Sequence, residues 1–575
     1  MSGSRGNPAS TLVACCGHAP WLRRGLGPEF SACLKLQPKF KLVIPAILRS
    51  LSRTVSRAGR RVATVALGAL CWGASSALLA DTLIANARII DGTGSAPIVG
   101  SVRLSDDRII AVGELAPNES DVVIDAGGLV LAPGFIDTHS HSDRLILTER
   151  DALAKITQGI TTAVVGQDGD APYPLADFFS ALEAAPAKVN IASYAGHNTL
   201  RDEVMGAEFK RPASDEEIET MSALLEKELA AGALGLSTGL EYEPGIHSET
   251  REVVQLAQLT ADAGGRYISH VRSEDRWFED ALEEIIEIGR VTGMPVQISH
   301  LKLAMASLWG RADEILARLN AAREEGIDLT ADLYPYTYWQ SNMMVLLPER
   351  DPLDLDAIDF VMAELAPPDG IIFTHFPAEP GYVGMTLTEI AAVREQRPSE
   401  AFSALAQLSI AHEAATGEMG DMMIGTSMRD DDIGAFMAWP HTNICTDGSL
   451  RDRHPRGAGS FPRVLGRYVR EQGVLSLESA IHRMTGLAAE HMGFAERGVI
   501  APGMMADLVL FNPDTVMDRA TTSEPFAPSE GIHSVWVSGE QVLHEGDVSE
   551  AFPGRVIRRA NPQSRWRCPR HTYCF

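Results

Sequence analysis

Eight short apolar runs recur through the middle of this 575-residue chain, separated by stretches patterned for helices. They read GFIDTHSH, TTAVVGQD, VNIASYAGH, ALGLSTGL, RYISHVR, PVQISHLK, DLTADLYPY and TNICTDG. Strands that alternate with helices are joined by crossovers and therefore pair in parallel. Eight is the number that closes a parallel barrel. The intervening segments support this: SDEEIETMSALLEKELAA and FEDALEEIIEIGRVTG repeat apolar residues at spacings of three and four, as an outer ring of helices requires. The expected fold class is α/β, a (β/α)8 TIM barrel over about residues 134–497. One interval, from Trp339 to Thr442, is too long for a single strand-helix unit. It contains an extra strand, IIFTHF, and is expected to form an insertion over the barrel mouth.

Different textures flank this core. From Asp81, TLIANARIIDGTG, SVRLSDDRIIAVGEL and DVVIDAGGLVLAPG alternate in short β-rich runs broken by Gly, Asp and Pro. RGVIAPGMMADLVLFNP and HSVWVSGEQVLHEG repeat the pattern near the other end. A single small β-sandwich built from residues 81–133 and 498–560 follows. Ahead of it, residues 1–80 form a basic leader. The apolar stretch from Val62 to Ala80 follows Arg60 and Arg61 and ends in small residues, the layout of a signal peptide cleaved near Ala77 to Ala80. A membrane anchor is the competing reading, but the run barely reaches the ~18 residues a span needs. The chain is thus expected to be exported, periplasmic or secreted, without a stable membrane span after processing.

Charge and cysteine usage exclude other classes. The net charge of −26 includes +10 from residues up to Arg61, so the remainder carries −36. A body that acidic repels phosphate backbones, and nucleic acid is not an expected partner. Cys445 is the one cysteine between the leader and the tail at residues 561–575, which rules out a disulfide framework or a thiolate zinc site within the body.

The chemistry lies at strand ends. His139 and His141 close the first run in DTHSH, and residues two apart on a strand share a face. Asp168 closes VVGQD, His270 closes YISH, His300 closes QISH and Asp447 closes ICTD. Barrel enzymes place their reactive groups at the carboxyl ends of the strands. Imidazoles and carboxylates without thiolate favour Zn2+, with Mn2+, Fe2+ and Co2+ as competitors. A cation there would acidify water and polarise a carbonyl, which is hydrolysis. His197 in YAGHN reads as a mouth-lining residue, or one behind the ligands, rather than a ligand, His375 and His441 as structural, Cys445 as core, and the Met-rich segment around Met422 as packing or lid surface.

GFIDTHSHSD, ISHVRSE, ISHLK, YPYT, CTDGS and HPRGAGSFPRVLGRYVRE together resemble the N-acyl-D-amino-acid deacylase (D-aminoacylase) branch of the amidohydrolase superfamily, over about Asp81 to Arg559. The resemblance implies a weakly occupied metal site at His139 and His141 and a tightly held zinc at His270 and His300. It implies that Asp447 is the general base toward the metal's water, and that Tyr242 in GLEYEPG lies near the scissile carbonyl. Lys302, Tyr334 and Arg456 match positions that hold the substrate's α-carboxylate. Two departures stand out. Asp168 replaces a metal-ligating cysteine, which leaves metal preference and the choice of one or two ions open. The serine expected after YPYT has only a loose match in Ser341.

The expected activity is metal-dependent hydrolysis of the amide bond of a small N-acyl-D-amino acid or peptide-like substrate. Two alternatives remain at this stage: another amidohydrolase activity, such as a cyclic amidase or a dipeptidase for D-residue or isopeptide bonds, and a non-catalytic metal- or substrate-binding protein. The sequence does not specify an oligomeric state.

Overall fold

Each of the eight apolar runs carries a strand in the computed structural model, which describes residues 80–451 and 453–560. The leader and signal peptide, apart from Ala80, and the tail lie outside the described residues. The strands are Phe135–Asp137, Ile160–Val165, Asn190–Ser193 with its continuation Ala195–Gly196, Gly235–Gly239, Arg266–His270, Val296–Ile298, Leu329–Leu333 and Thr442–Ile444. All pairings among them are parallel. The third run pairs with the second strand through Asn190–Ser193 and with the fourth through Ala195–Gly196, so it joins two arcs of the ring. Closure comes from the loops after the first and eighth strands: Ser140 bridges Gly448 in parallel, and Asp447 N donates to His139 O at 2.9 Å.

Parallel strands covered on both faces have no solvent side, which is why these runs read as continuously apolar rather than alternating. Every residue of Ile160–Val165, Gly235–Gly239 and Leu329–Leu333 is buried. The helices of the ring are bounded by local chemistry. In Asp215–Ala231, Ser214 accepts from Glu217 N in a capping box, and Gly232 ends the helix in the left-handed conformation.

The barrel interior is closed under its mouth by a hydrogen-bonded polar layer. Thr138 Oγ1 donates to Asn443 Oδ1 at 2.5 Å, Asn443 Nδ2 to Gln297 Oε1 at 3.0 Å, and Gln297 Nε2 to Asp332 Oδ2 at 2.7 Å. Polar groups so deeply buried are tolerated because each finds a partner.

The two ends of the described chain meet in one nine-stranded sheet. Leu508–Phe511 runs antiparallel to Val130–Pro133, which joins the late strands to the early ones. The sheet encloses an apolar cluster of its own, with Ile84, Val102, Ile109, Leu508 and Trp536 buried in it. Over the barrel mouth, Tyr338–Ser341, Ile371–His375 and Met422–Thr426 form a separate antiparallel sheet, with Met422–Thr426 in the centre. Helix Asp430–Ala438 already returns to the ring, where it packs on helix Ala312–Glu324 and on the eighth strand. Among the described residues, no helix is long and apolar enough to cross a membrane.

A fully buried ion pair sits at the seam of the ring. Lys155 Nζ donates to Asp137 Oδ2 at 2.8 Å, to Thr446 Oγ1 at 2.9 Å and to Gly448 O at 3.1 Å. Removing one partner of a buried pair leaves the other charge uncompensated, at a cost of ~3–5 kcal/mol. Lys155→Met is therefore expected to lower the unfolding free energy by about that amount in a denaturant titration. A change below ~1 kcal/mol would show that the seam does not depend on this pair.

Candidate metal centre and active site

The strand-end residues converge on one point at the barrel mouth. Ligand atoms of His139, Asp168, His300 and Asp447 all lie within 4.8 Å of one another. His139 Nε2 is 3.3 Å from Asp168 Oδ1 and 3.5 Å from Asp447 Oδ1. His141 Nε2 lies 3.3 Å from Asp168 Oδ2 and 3.2 Å from Asp447 Oδ1. On the far side, His300 Nε2 is 3.5 Å from Asp168 Oδ1 and 3.0 Å from His270 Nδ1. Asp168 thus stands between the two histidine pairs, one oxygen toward His139 and His300 and the other toward His141.

Local backbone geometry aims these side chains. Asp168, His300 and Asp447 have φ of 55°, 36° and 48°, in the left-handed region that non-glycine residues seldom occupy. Such strain persists where surrounding structure enforces it, characteristically at functional sites. Gly239 makes room for the Asp168 turn: a Cβ there would fall 2.0 Å from Asp168 O.

The donor set fits a divalent cation. His139 Nδ1 and Nε2 and Asp168 Oδ1 are buried without a hydrogen bond, an arrangement that costs free energy unless something else satisfies them. Imidazole and carboxylate donors with no sulfur suit zinc and harder first-row ions. The nitrogens facing away from the centre are held from behind. Glu241 Oε2 lies 2.9 Å from His270 Nε2, Glu274 Oε1 lies 2.9 Å from His300 Nδ1, and Asp332 Oδ1 lies 3.7 Å from His139 Nδ1. Carboxylates in this position fix ring orientation and raise ligand basicity. His270, Glu274 and His300 form a second group with ligand geometry.

The charges of the centre's own side chains balance one another. Burial pushes His300 down, as does the Lys302 cation, but Glu274, Asp447 and Asp168 outweigh both and carry it up to about 9. Burial likewise opposes the charged form of His139, which Asp168 and Asp447 nonetheless hold well above its ordinary range. Despite burial, Asp168 is held well below the usual carboxylate range by His139 and His300, and Asp447 by Arg456, His300 and His139.

The remaining sequence-derived residues gather around this centre. The Tyr242 ring is 4.4 Å from that of His270, centroid to centroid. Tyr334 lies under the Arg456 guanidinium at 4.6 Å, with Lys302 Nζ 5.9 Å from the same ring, and its hydroxyl is buried without a partner. Neither cation stands alone: Lys302 pairs with Glu274 and lies 2.8 Å from His300 Nδ1, and Arg456 pairs with Asp447. Tyr242, His270, His300, Lys302, Tyr334, Asp447 and Arg456 all line one cavity of about 1260 Å³. His197 is not part of it; its Nε2 meets Glu252 at 2.7 Å in a buried network with Arg201. Cys445 is buried with its Sγ toward Asp332, and burial pushes the thiol's pKa well up. His375 and Met422 lie on the insertion sheet and line the cavity.

Comparison with known proteins decides the family. The amidohydrolase family profile matches residues 122–344 and 381–543. The chain is similar to D-aminoacylase of Alcaligenes xylosoxydans xylosoxydans, at 36% identity over 83% of this chain and 98% of the relative. The chain belongs to the N-acyl-D-amino-acid deacylase family of the amidohydrolases. It is also similar to N-acyl-D-aspartate deacylase of the same organism, at 37% identity over 83% of this chain and 95% of the relative. Among solved structures, N-acyl-D-glutamate deacylase of Bordetella bronchiseptica, complexed with zinc and a phosphonate mimic of the tetrahedral intermediate, superposes with a TM-score of 0.74 at 36% identity, covering 83% of this chain and 99% of that one. In this family's pattern a cysteine is expected at position 168; here one carboxylate oxygen lies between His139 and His300, and the other adds an approach to His141.

Glu241, Glu274 and Asp332 lie inside the quoted segments GLEYEPG, ISHVRSE and DLTADLYPY, but nothing in those segments assigns them a role. The family pattern made the rest legible.

The charge balance gives a pH prediction. His300 carries a proton below about 9 in the metal-free protein, so a cation must displace it. Affinity for a divalent cation is expected to rise with pH throughout the range below about 9, while Asp168 and Asp447 stay ionised. Calorimetric titration with Zn2+ in buffers of differing ionisation enthalpy checks this through proton release. PH-independent affinity with no protons released would contradict it.

Proposed function

We propose that this chain hydrolyses the amide bond of N-acyl-D-amino acids, or of related small peptide-like amides, to a carboxylate and a free amino acid, with one or two Zn2+ ions as cofactor. One observation carries the proposal: the metal-competent cluster, Asp447, and the cationic pair Lys302 and Arg456 around Tyr334 share a single cavity. The activities of the relatives agree with it.

His139, His141, Asp168, His270, His300 and Asp447 are the residues that would hold the metal, with Glu241 and Glu274 orienting His270 and His300 from behind. When bound, zinc acidifies a water molecule and polarises the scissile carbonyl. Asp447 is the general base. It remains ionised at neutral pH, takes a proton from the attacking water and returns it to the departing nitrogen. Tyr242 keeps its own proton, because burial and the surrounding carboxylates Asp168, Glu274 and Asp447 push its pKa well up, and a neutral phenol can donate to the developing oxyanion. Lys302, Arg456 and the unpartnered Tyr334 hydroxyl can gather on the substrate's α-carboxylate, the two cations exchanging Glu274 and Asp447 for the incoming anion. An arginine fork and a lysine point charge together set both distance and orientation.

We also propose that the protein is exported, periplasmic or secreted. The apolar run ending at Ala80 behind Arg60 and Arg61 supports this. Sequencing the amino terminus of the mature protein is expected to place it near residues 78–81; a chain retaining Met1 would oppose export by this route.

Asp447→Asn is expected to lower kcat by about 10²- to 10⁴-fold, measured on N-acetyl-D-amino acids at fixed metal content. Wild-type turnover in that variant would remove Asp447 from the mechanism. Lys302→Ala should cost ~1.5–3 kcal/mol in kcat/KM for the free carboxylate substrate and much less for its methyl ester. An equal loss on acid and ester would mean that Lys302 serves the metal centre rather than the carboxylate.

A further inference from the structure

The cavity extends past the metal cluster to a wall supplied by the insertion, and that wall has a character of its own. Trp339, Met344, Leu346, Leu365, Ile410 and Met422 are among its apolar members, beside the neutral polar Gln340, Ser341, Asn342 and Thr374. Three of the apolar lining residues are open to water: Ile410 at 38%, Met419 at 46% and Phe526 at 51%. Apolar side chains left open to water around a concave site mark a place where a ligand covers them.

Positive charge on this wall is already engaged. Arg350 is its one arginine or lysine among the described lining residues, and its guanidinium donates to four main-chain carbonyls: Met344 O at 2.8 Å, Val345 O at 2.5 Å, Leu347 O at 2.9 Å and Glu241 O at 2.5 Å. The other ionisable groups there are His375 and two carboxylates. His375 Nε2 lies 3.2 Å from Met419 O. Asp421 accepts from Met343 N and Ser409 Oγ, and Glu413 accepts from Gly420 N. Elsewhere around the cavity, Lys210 pairs with Glu243 and Arg451 with Glu149, while Arg144 and Arg453 lie at the exposed rim. Lys302 and Arg456 are committed to the α-carboxylate.

We propose that the insertion wall receives a bulky apolar group of the substrate and selects against an acidic one, which makes this chain a deacylase for apolar rather than acidic N-acyl-D-amino acids. The inference rests on the deacylase activity proposed above. An anionic side chain placed against this wall would give up its hydration without a dedicated cation and would face Asp421 and Glu413. A branched or thioether chain would instead cover apolar surface now open to water. The group placed on this wall is the amino-acid side chain, and the acyl series tests whether an acyl chain occupies it instead.

Steady-state kinetics of the zinc-loaded protein test this with two substrate series: N-acetyl-D-alanine, -leucine, -methionine, -aspartate and -glutamate, and D-alanine carrying acetyl, butyryl or octanoyl groups. The expected result is a kcat/KM about 100-fold higher for N-acetyl-D-leucine or -methionine than for N-acetyl-D-glutamate, with a smaller change along the acyl series. Met422→Lys, or Ile410→Lys should the first not fold, is expected to narrow the gap between apolar and acidic substrates by at least about tenfold. Equal or better turnover of D-glutamate or D-aspartate substrates overturns the inference while leaving the deacylase activity standing. So does a preference that follows the acyl chain alone, or an unchanged gap in a folded lysine variant. No hydrolysis anywhere in the panel overturns the deacylase proposal itself, and this inference with it.

Discussion

The ring of parallel strands closes through one buried charge pair, and everything at the mouth inherits its position from that closure. Asp137 ends the first strand, while Thr446 and Gly448 follow the eighth; Lys155, from the helix after the first strand, reaches all three. Asp137 also accepts from Thr446 N and Oγ1 at 2.8 and 2.7 Å. His139 lies two residues beyond Asp137, and Asp447 one beyond Thr446. The same contacts that join the last strand to the first therefore set how far His139 and His141 stand from Asp447, the proposed general base. A buried pair of this kind contributes little net stability over an apolar substitute, but it specifies register, and register matters most where two strands distant in sequence must meet.

The centre above the seam concentrates groups that would each be unfavourable alone. Three residues in left-handed backbone, four imidazoles and at least four carboxylates crowd one end of the cavity, most of them buried. They are compatible because opposite charges alternate around it and because the polar layer from Thr138 to Asp332 supports it from beneath. Asp332 serves both levels, accepting from Gln297 in the layer and from His300 N above it at 2.6 Å. The scaffold is thus organised around charge compensation as much as around apolar burial.

The eight strands were legible because a parallel barrel writes itself as short, fully apolar runs with helical spacers, and the strand-end histidines because their motifs are compact. What sequence could not supply was the company these residues keep. Glu274 reaches His300 and Lys302 from a neighbouring strand's loop, and nothing local to ISHVRSE announces that contact. Glu241 is an ordinary glutamate until the fold places it behind His270. Lys302 and Arg456 read as free cations in one dimension, whereas in three each has a carboxylate partner. Only the third run departs from its pattern, dividing at Tyr194 so that each half serves a different neighbour. The insertion was visible as excess length, but its antiparallel sheet depends on pairing Tyr338–Ser341 with a strand some eighty residues later, a contact no local pattern encodes.

The carboxylate at position 168 has a further consequence. A thiolate between two metal sites is the atom most open to oxidants, able to pass through sulfenic to irreversibly oxidised acids. Asp168 offers no such chemistry. Cys445, the one free cysteine among the described residues, is buried and its thiol is held protonated, so it too is a poor target. A metal centre built this way can persist where peroxide or disulfide-forming conditions would inactivate a sulfur-bridged one. The exchange of softness for durability is written into a single side chain.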